Sequence, residues 1–330
     1  MTSESLATRQ DAHEITVVCV GETMVMFGPP PHEVMEYCLQ FIAMHGGAES
    51  NVAIGMERLG MHAAWIGMLP GNALGRKIVN ELRAFGVDTS AVIWTDTGRV
   101  GKFFVEWGAR PRPLKTIYDR ANSVATTLVA DDLDWDFIAR AKWLQLTGIT
   151  PATSETCRRS VPEIAARARV LGLKVFFDVN YRSLLWSRDE AKATCEKVLP
   201  YVNLLTATEI DTEIVLGESL PREVAVRTLF DKYDFDAVVM TLGGEGSLGY
   251  DGTSFYSSTG YEVETVNRMG AGDAYDAGLL YGYLGSGLQT GLYYGTAFSA
   301  LKLTIPQNIP IIDKEDVEQL LSGRSIDVVR

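Results

Sequence analysis

Short apolar runs alternate with amphipathic stretches along most of the chain. Ile15–Val20 is a β-rich run that stops at Gly21, and Ala63–Ile66 is a second. Between them Val52, Met56 and Leu59 share one helical face, so Asn51 to Leu59 predicts a helix ended by Gly60. Leu74, Ile78, Leu82 and Phe85 form another apolar stripe, closed by Gly86. Further on, Trp143–Leu146, Lys174–Phe177, Val202–Leu205 and Ala237–Thr241 read as strands separated by helical patterns. A last helical block runs, with breaks, from near Gly270 to about Leu301. Apolar strands alternating with helices predict an α/β fold, a central and mostly parallel sheet flanked by helices.

Two stretches depart from that pattern, at about residues 28–45 and 100–120. Both carry prolines and β-type alternation, as in Lys102-Phe103-Phe104-Val105-Glu106-Trp107. We read them as a small β-sheet lid inserted in one domain spanning residues 15–330; two ordinary surface hairpins are the other reading. Residues 1–14 are polar and mixed in charge, which predicts a disordered tail and not a secretory signal.

Composition narrows the function classes. The 330 residues hold 30 Lys and Arg against 42 Asp and Glu, a net charge of −12. That balance argues against a nucleic-acid-binding or anionic-membrane surface. Cys19, Cys38, Cys157 and Cys195 show no metal-type spacing and read as thiols of a reducing compartment. No apolar run approaches the roughly 18 residues of a membrane span. The expectation is a cytoplasmic protein with a small-molecule substrate.

The chemistry concentrates in a few short motifs. In Gly270-Ala271-Gly272-Asp273 a small-residue turn enters a helix with a carboxylate on its first turn. Unpaired N–H groups and the positive end of the helix dipole make such a turn an anion site, and glycines let the anion approach. The carboxylate is placed to take a proton from a hydroxyl attacking a phosphoryl group; a favourable helix-start Asp is the competing reading. Gly46-Gly47-Ala48-Glu49-Ser50-Asn51 precedes a helix, with Asn51 as a candidate partner for a polyol or as a plain cap. Asp178-Val179-Asn180-Tyr181-Arg182 falls at the carboxyl end of a strand, where open α/β sheets bind ligands. Arg182 suits a carboxylate or phosphate, and Tyr118-Asp119-Arg120 brings a second arginine at the lid edge. Salt bridges are the alternative for both. Gly244-Glu245-Gly246-Ser247-Leu248-Gly249 fits the dinucleotide-binding pattern but runs into a strand and turn, not a helix, which argues against a nicotinamide-dependent oxidoreductase.

Taken together, the motifs resemble the ribokinase-like (PfkB) family of carbohydrate kinases, from about Val17 to Leu321. Gly46 to Ala53 looks like the family's first signature and Val266 to Ala274 like its second. Within the family the similarity is to 2-keto-3-deoxygluconate kinases, carried by Tyr118-x-Arg120 with Ser123, by Asp178-x-Asn180-x-Arg182 ending in Leu185-Trp186, and by Arg268. Two arginines suit an acidic sugar better than a neutral one. The resemblance implies a phosphotransferase that moves the γ-phosphoryl of ATP to the C6 hydroxyl of a keto-deoxy sugar acid. Asp273 would be the base, and the N–H groups of Gly270, Ala271, Gly272 and Asp273 the anion hole. Gly46, Gly47, Asn51, Tyr118, Arg120, Asn180 and Arg182 would hold the sugar. Thr241, Gly243, Gly246 and Asn267 would hold nucleotide, and Glu209 magnesium. A homodimer formed through the lid is a further implication.

The chain departs from the family at several of these positions. Asn267 stands for the usual Asp, linked in relatives to a potassium loop, so a potassium requirement is left open. Met269 stands for a frequent Thr, Thr206 for the Asn of an N-x-x-E motif, Gln307-Asn308 for Gly-Asp, and Phe103 for a Tyr that can contact substrate. A kinase for another sugar such as fructose, or for a nucleoside, is the alternative, followed by a non-catalytic ligand-binding relative.

Overall fold

The computed structural model describes residues 15–31, 33–108 and 111–323; the expected tail at 1–14 lies outside the described residues. Strands in the first half are β1 (Ile15–Val20), β2 (Met24–Gly28), β3 (Ile42–Gly46), β4 (Ala63–Ile66), β5 (Met68–Pro70), β6 (Ile93–Thr95), β7 (Lys102–Glu106) and β8 (Lys115–Asp119). The second half adds β9 (Ala141–Thr147), β10 (Lys174–Asp178), β11 (Leu204–Thr208), β12 (Ala237–Thr241), β13 (Gly246–Tyr250) and β14 (Phe255–Thr259). The helices are α1 (Ala48–Arg58), α2 (Ala73–Ala84), the single turns α3 (Trp135–Ile138) and α4 (Ile149–Ala152), then α5 (Glu155–Val170), α6 (Arg188–Val198), α7 (Glu209–Leu216) and α8 (Arg222–Lys232). Helices α9 (Ala271–Ser286), α10 (Leu288–Leu303) and α11 (Lys314–Leu321) complete the described chain.

Eight strands form the main sheet in the order β14-β13-β12-β11-β10-β9-β1-β4. From β4 to β12 every pairing is parallel; β13 and β14 add an antiparallel edge. Strand alternation sends successive side chains to opposite faces. Val18, Leu144, Val175, Leu205 and Val238 enter one apolar core, whereas Val17, Trp143, Phe176, Leu204 and Val239 enter the other. Helices α5 and α8 cover the first face, and α1, α9 and α10 the second. Both faces are buried, as a parallel sheet requires.

The two stretches that broke the pattern meet in a separate four-stranded sheet, β3-β2-β7-β8. It begins at Met24, earlier than the sequence suggested, and joins segments far apart in the chain. The two-hairpin reading is replaced by one mixed sheet, because β2 pairs in parallel with β7.

Three boundaries differ from expectation. Helix α1 starts at Ala48, with Gly47 as its N-cap, so Asn51 sits inside the first turns. Strand β11 starts at Leu204 because Asn203 is occupied in crosslinking its neighbours: its Oδ1 accepts from the Val175 N–H and from Arg169. Helix α11 was not foreseen. The Gly244-x-Gly246-x-x-Gly249 segment leads from a tight turn into β13 and opens no helix, which removes the dinucleotide reading. Gly246 has φ +111°, and a Cβ there would lie 1.9 Å from the Ser258 carbonyl oxygen. Its glycine therefore serves the β13–β14 hairpin.

Candidate active site

The chain turns through Gly270 into α9. Gly270 has φ +80°, and a Cβ on it would lie 1.9 Å from the Asn308 carbonyl oxygen. No other residue fits without moving that loop. The next glycine is different: nothing lies within 4 Å of where a Cβ on Gly272 would point. Open space thus faces the first turn of α9, whose N–H groups have no intrahelical acceptor and no side-chain cap. An anion fits there, at the positive end of the helix dipole.

Asp273 follows on that first turn and is 9% exposed. Asn51 Nδ2 donates to its Oδ2 at 2.6 Å and to the Asn308 carbonyl oxygen at 3.2 Å. One amide thereby ties α1, α9 and the loop after α10 around the carboxylate. Burial raises the pKa of Asp273 to about 6, against the Asn51 hydrogen bond and the positive charges of Arg182 and Lys302. A carboxylate that is basic for its kind, yet ionised at neutral pH, is suited to accept a proton.

A cavity of about 1130 Å³ opens over this turn, between the main sheet and the small one. Gly46, Gly47, Asn51, Tyr118, Arg120, Asn180 and Arg182 all line it, as do Thr241 and Asn267. Sequence-distant candidates are therefore brought to one place. Phe103 lies 3% exposed on the cavity wall, its ring stacked on Tyr118 at 5.7 Å between centroids. A Cβ on Gly46 would meet that phenyl ring at 2.7 Å, which explains the glycine.

Several expected roles are revised. The amide N–H of Asn51 is committed to Asp273 and Asn308, so it orients that carboxylate and does not present a free donor to a polyol. Arg120 is held by Glu22: Nε donates to Oε2 at 2.9 Å, Nη2 contacts the same oxygen, and Ser123 donates to Oε1. All three residues are buried. The salt-bridge alternative is what the structure contains, latching the end of β8 to the turn after β1. Asn180 sits at φ +41°, steadied by its own N–H and side-chain amide donating to Asp178. This bend turns the chain so that Arg182 faces the cavity. Asn267 spends its side chain inside its loop, donating to Pro306 and accepting from the Met269 N–H.

Glu209 does not line the cavity; it is exposed and paired with Arg222, which also binds Glu245. Gly243, Gly246 and Ala271 also lie outside the cavity wall. The carboxylates that do face it beside Asp273 are Asp178, Asp211, Asp276 and Glu22, the last of them held by Arg120. Asp276 Oδ1 accepts from the Thr206 hydroxyl at 3.0 Å, while its Oδ2 is buried without a partner. Burial and the neighbouring carboxylates raise Asp178 to about 7 and raise Asp276 as well. Sequence reasoning missed Asp276, although its signal was readable: three residues after Asp273 on a helix puts both on one face. Glu22 and Lys302 carried no local signal.

Among the described residues Arg182 and Arg268 are exposed, line the cavity and have no ion-pair partner. They are the cations open to an acidic ligand. No helix of the described residues is long and apolar enough to cross a membrane.

Comparison with known proteins agrees with this geometry. The sequence profile of the pfkB family carbohydrate kinases matches residues 14–314. A 2-dehydro-3-deoxygalactonokinase of Haloferax volcanii is 38% identical over 315 residues, covering 95% of this chain and 99% of that protein. A 5-dehydro-2-deoxygluconokinase of Geobacillus kaustophilus is 32% identical over 280 residues, 83% of each. The crystal structure of a 2-dehydro-3-deoxygluconokinase from Thermotoga maritima superposes with a TM-score of 0.89 at 34% identity, covering 94% of this chain and 99% of that one. A glycine turn open to an anion, a buried carboxylate beside it and a small sheet across the cavity thus stand in a chain that belongs to the pfkB family of carbohydrate kinases.

Proposed function

We propose that this carbohydrate kinase transfers the γ-phosphoryl group of ATP to the C6 hydroxyl of a keto-deoxy sugar acid, in the first place 2-keto-3-deoxygluconate. The observation that carries the substrate class is Arg182, exposed in the cavity with no ion-pair partner among the described residues and steered there by the Asn180 bend. A neutral sugar leaves that guanidinium unanswered, whereas a carboxylate pairs with it in bidentate fashion. The names of all three relatives above support an oxidised deoxy-sugar acid. The galactonate epimer is the second reading, favoured by the Haloferax volcanii relative.

In this reading the sugar acid lies against Gly46, Gly47 and Tyr118 with its carboxylate toward Arg182. Asp273 removes the proton from the attacking hydroxyl as the new O–P bond forms and the bond to the ADP oxygen breaks. The N–H groups of α9's first turn, over open Gly272, hold the oxygens of the transferring group. Magnesium, when bound, neutralises phosphate charge. No cluster of three or more ligating side chains among the described residues holds a metal unaided, which suits an ion carried largely by the nucleotide. Asp276, with its partnerless buried Oδ2, and Asp178 are the carboxylates suited to it, in place of the expected Glu209. The lid sheet shields the reaction from water. Ile42 and Ile117 are exposed on that sheet, and they support the pairing of two lids in a homodimer.

The test is a coupled ADP-release assay over 2-keto-3-deoxygluconate, 2-keto-3-deoxygalactonate, gluconate, fructose, ribose and adenosine. The expected result is a kcat/KM for a keto-deoxy acid about 100-fold above the neutral sugars, the scale of one charge-assisted contact. Preference for fructose, ribose or adenosine refutes the substrate assignment.

A further inference from the structure

Lys302, in the last turn of α10, is completely buried. Fully buried lysines are rare because an ammonium removed from water must be compensated. Among the described residues the one hydrogen-bond acceptor of its Nζ is the Asn267 carbonyl oxygen, at 3.0 Å. Its two further N–H bonds have no acceptor among the described residues, so packing alone does not account for the charge.

Its surroundings do. The segment that delivers Gly270 to α9 is stitched to the end of α10. The N–H groups of Val266 and Asn267 both donate to the Leu303 carbonyl, at 2.8 and 3.2 Å. The Asn267 side chain bridges Pro306 and Met269. Among the described residues Lys302 supplies the one buried cation of that knot, since Arg268 on the same segment is exposed. Burial draws its pKa down to about 8 while the Asp273 carboxylate holds it up, so the group is charged at neutral pH.

We propose that Lys302 is a positioning residue of the phosphoryl-transfer turn: its buried ammonium acts as a built-in monovalent cation that fixes Asn267 and adds positive potential behind Gly270–Asp273, so turnover needs no added potassium. This rests on the kinase reading of the same site. An ammonium and a potassium ion carry equal charge and both take carbonyl oxygens. A second monovalent cation at this knot would be repelled by the first, so the residues present do not suit a potassium ion there. Charge placed behind an anion hole in a dry interior stabilises the transferring group without reorganisation.

The test compares wild type with Lys302→Ala in tetramethylammonium, potassium and ammonium chloride at one ionic strength. It uses whichever sugar the panel above identifies, so a failed substrate assignment leaves it intact. Wild-type kcat is expected to agree within about twofold across the salts, and activation by potassium of about tenfold or more overturns the proposal. In tetramethylammonium Lys302→Ala is expected to lose about tenfold or more in kcat with the sugar KM little changed, and potassium or ammonium to restore part of it. An unchanged kcat, or a loss that neither ion restores in folded protein, overturns it. Thermal melting supplies a readout independent of turnover: potassium should raise the melting temperature of Lys302→Ala but not of wild type. If the alanine variant does not fold, the wild-type salt series decides alone.

Discussion

Replacing Asn51 by Ala isolates the link between loop geometry and base strength. Its amide is the side-chain donor to the Asp273 carboxylate, at 2.6 Å. Burial already raises that carboxylate to about 6, and the Asn51 bond is the largest influence opposing the rise. A hydrogen bond to a charged group contributes about 1.5–3 kcal/mol. One pKa unit corresponds to about 1.4 kcal/mol. Asp273 is 9% exposed, so water recovers part of the loss, and a rise of about one unit is expected. The sign follows from which form Asn51 favours. It donates to the ionised carboxylate, so removing it stabilises the protonated form and keeps the base inactive to higher pH. In wild type kcat/KM should rise with pH through about 6 and then level. In Asn51→Ala that limb should move up by about one unit, costing about fivefold at pH 6, approaching tenfold below about pH 5 and vanishing near pH 8. A full pH–rate profile of both proteins, with circular dichroism to verify folding, measures it. A limb that stays in place with normal turnover at pH 8 would refute both the base assignment and the positioning role of Asn51.

Three further outcomes are expected. Asp273→Asn should lower kcat by about 10²-fold or more, with binding of nucleotide by calorimetry preserved; near-normal turnover would exclude Asp273 as the base. Arg182→Ala should raise KM for a keto-deoxy acid by about 10- to 100-fold and leave KM for neutral sugars unchanged, since the loss is one charge-assisted contact. Arg120→Ala should act chiefly on stability. It leaves Glu22 buried without its cation, a loss of about 3–5 kcal/mol for a buried pair, and thermal melting should show it; an unchanged melting temperature with a raised KM would return Arg120 to the substrate site.

The parts of the site legible in the sequence were those in which one local segment carries its own chemistry. Gly270 to Asp273 is such a case, because a glycine turn, a helix start and an acidic first-turn residue are adjacent in the chain. The strand alternation of Val17/Val18 and Phe176/Phe177 was equally local, and it correctly implied two covered faces. What sequence could not convey is pairing at a distance. Tyr118-x-Arg120 marked the right wall of the cavity, but the arginine's charge belongs to Glu22, 98 positions earlier. Asn51 lies 222 positions from the carboxylate it holds.

The placement of Glu209 was hidden for the same physical reason. Glu209 was expected from the resemblance of Thr206-Ala207-Thr208-Glu209 to an N-x-x-E motif, yet it is exposed and paired with Arg222, and the carboxylates on the wall come from β10, α7, α9 and the turn after β1. Thr206 in place of Asn is answered by Asp276, whose Oδ1 takes its hydroxyl. The contact joins a hydroxyl on β11 to a carboxylate on α9. Asn267 and Lys302 make a second such pair, a neutral side chain on the loop and a cation beneath it. Both contacts join segments far apart in the chain, Thr206 to Asp276 across 70 positions and Asn267 to Lys302 across 35, so neither partner could be read from the altered motif itself.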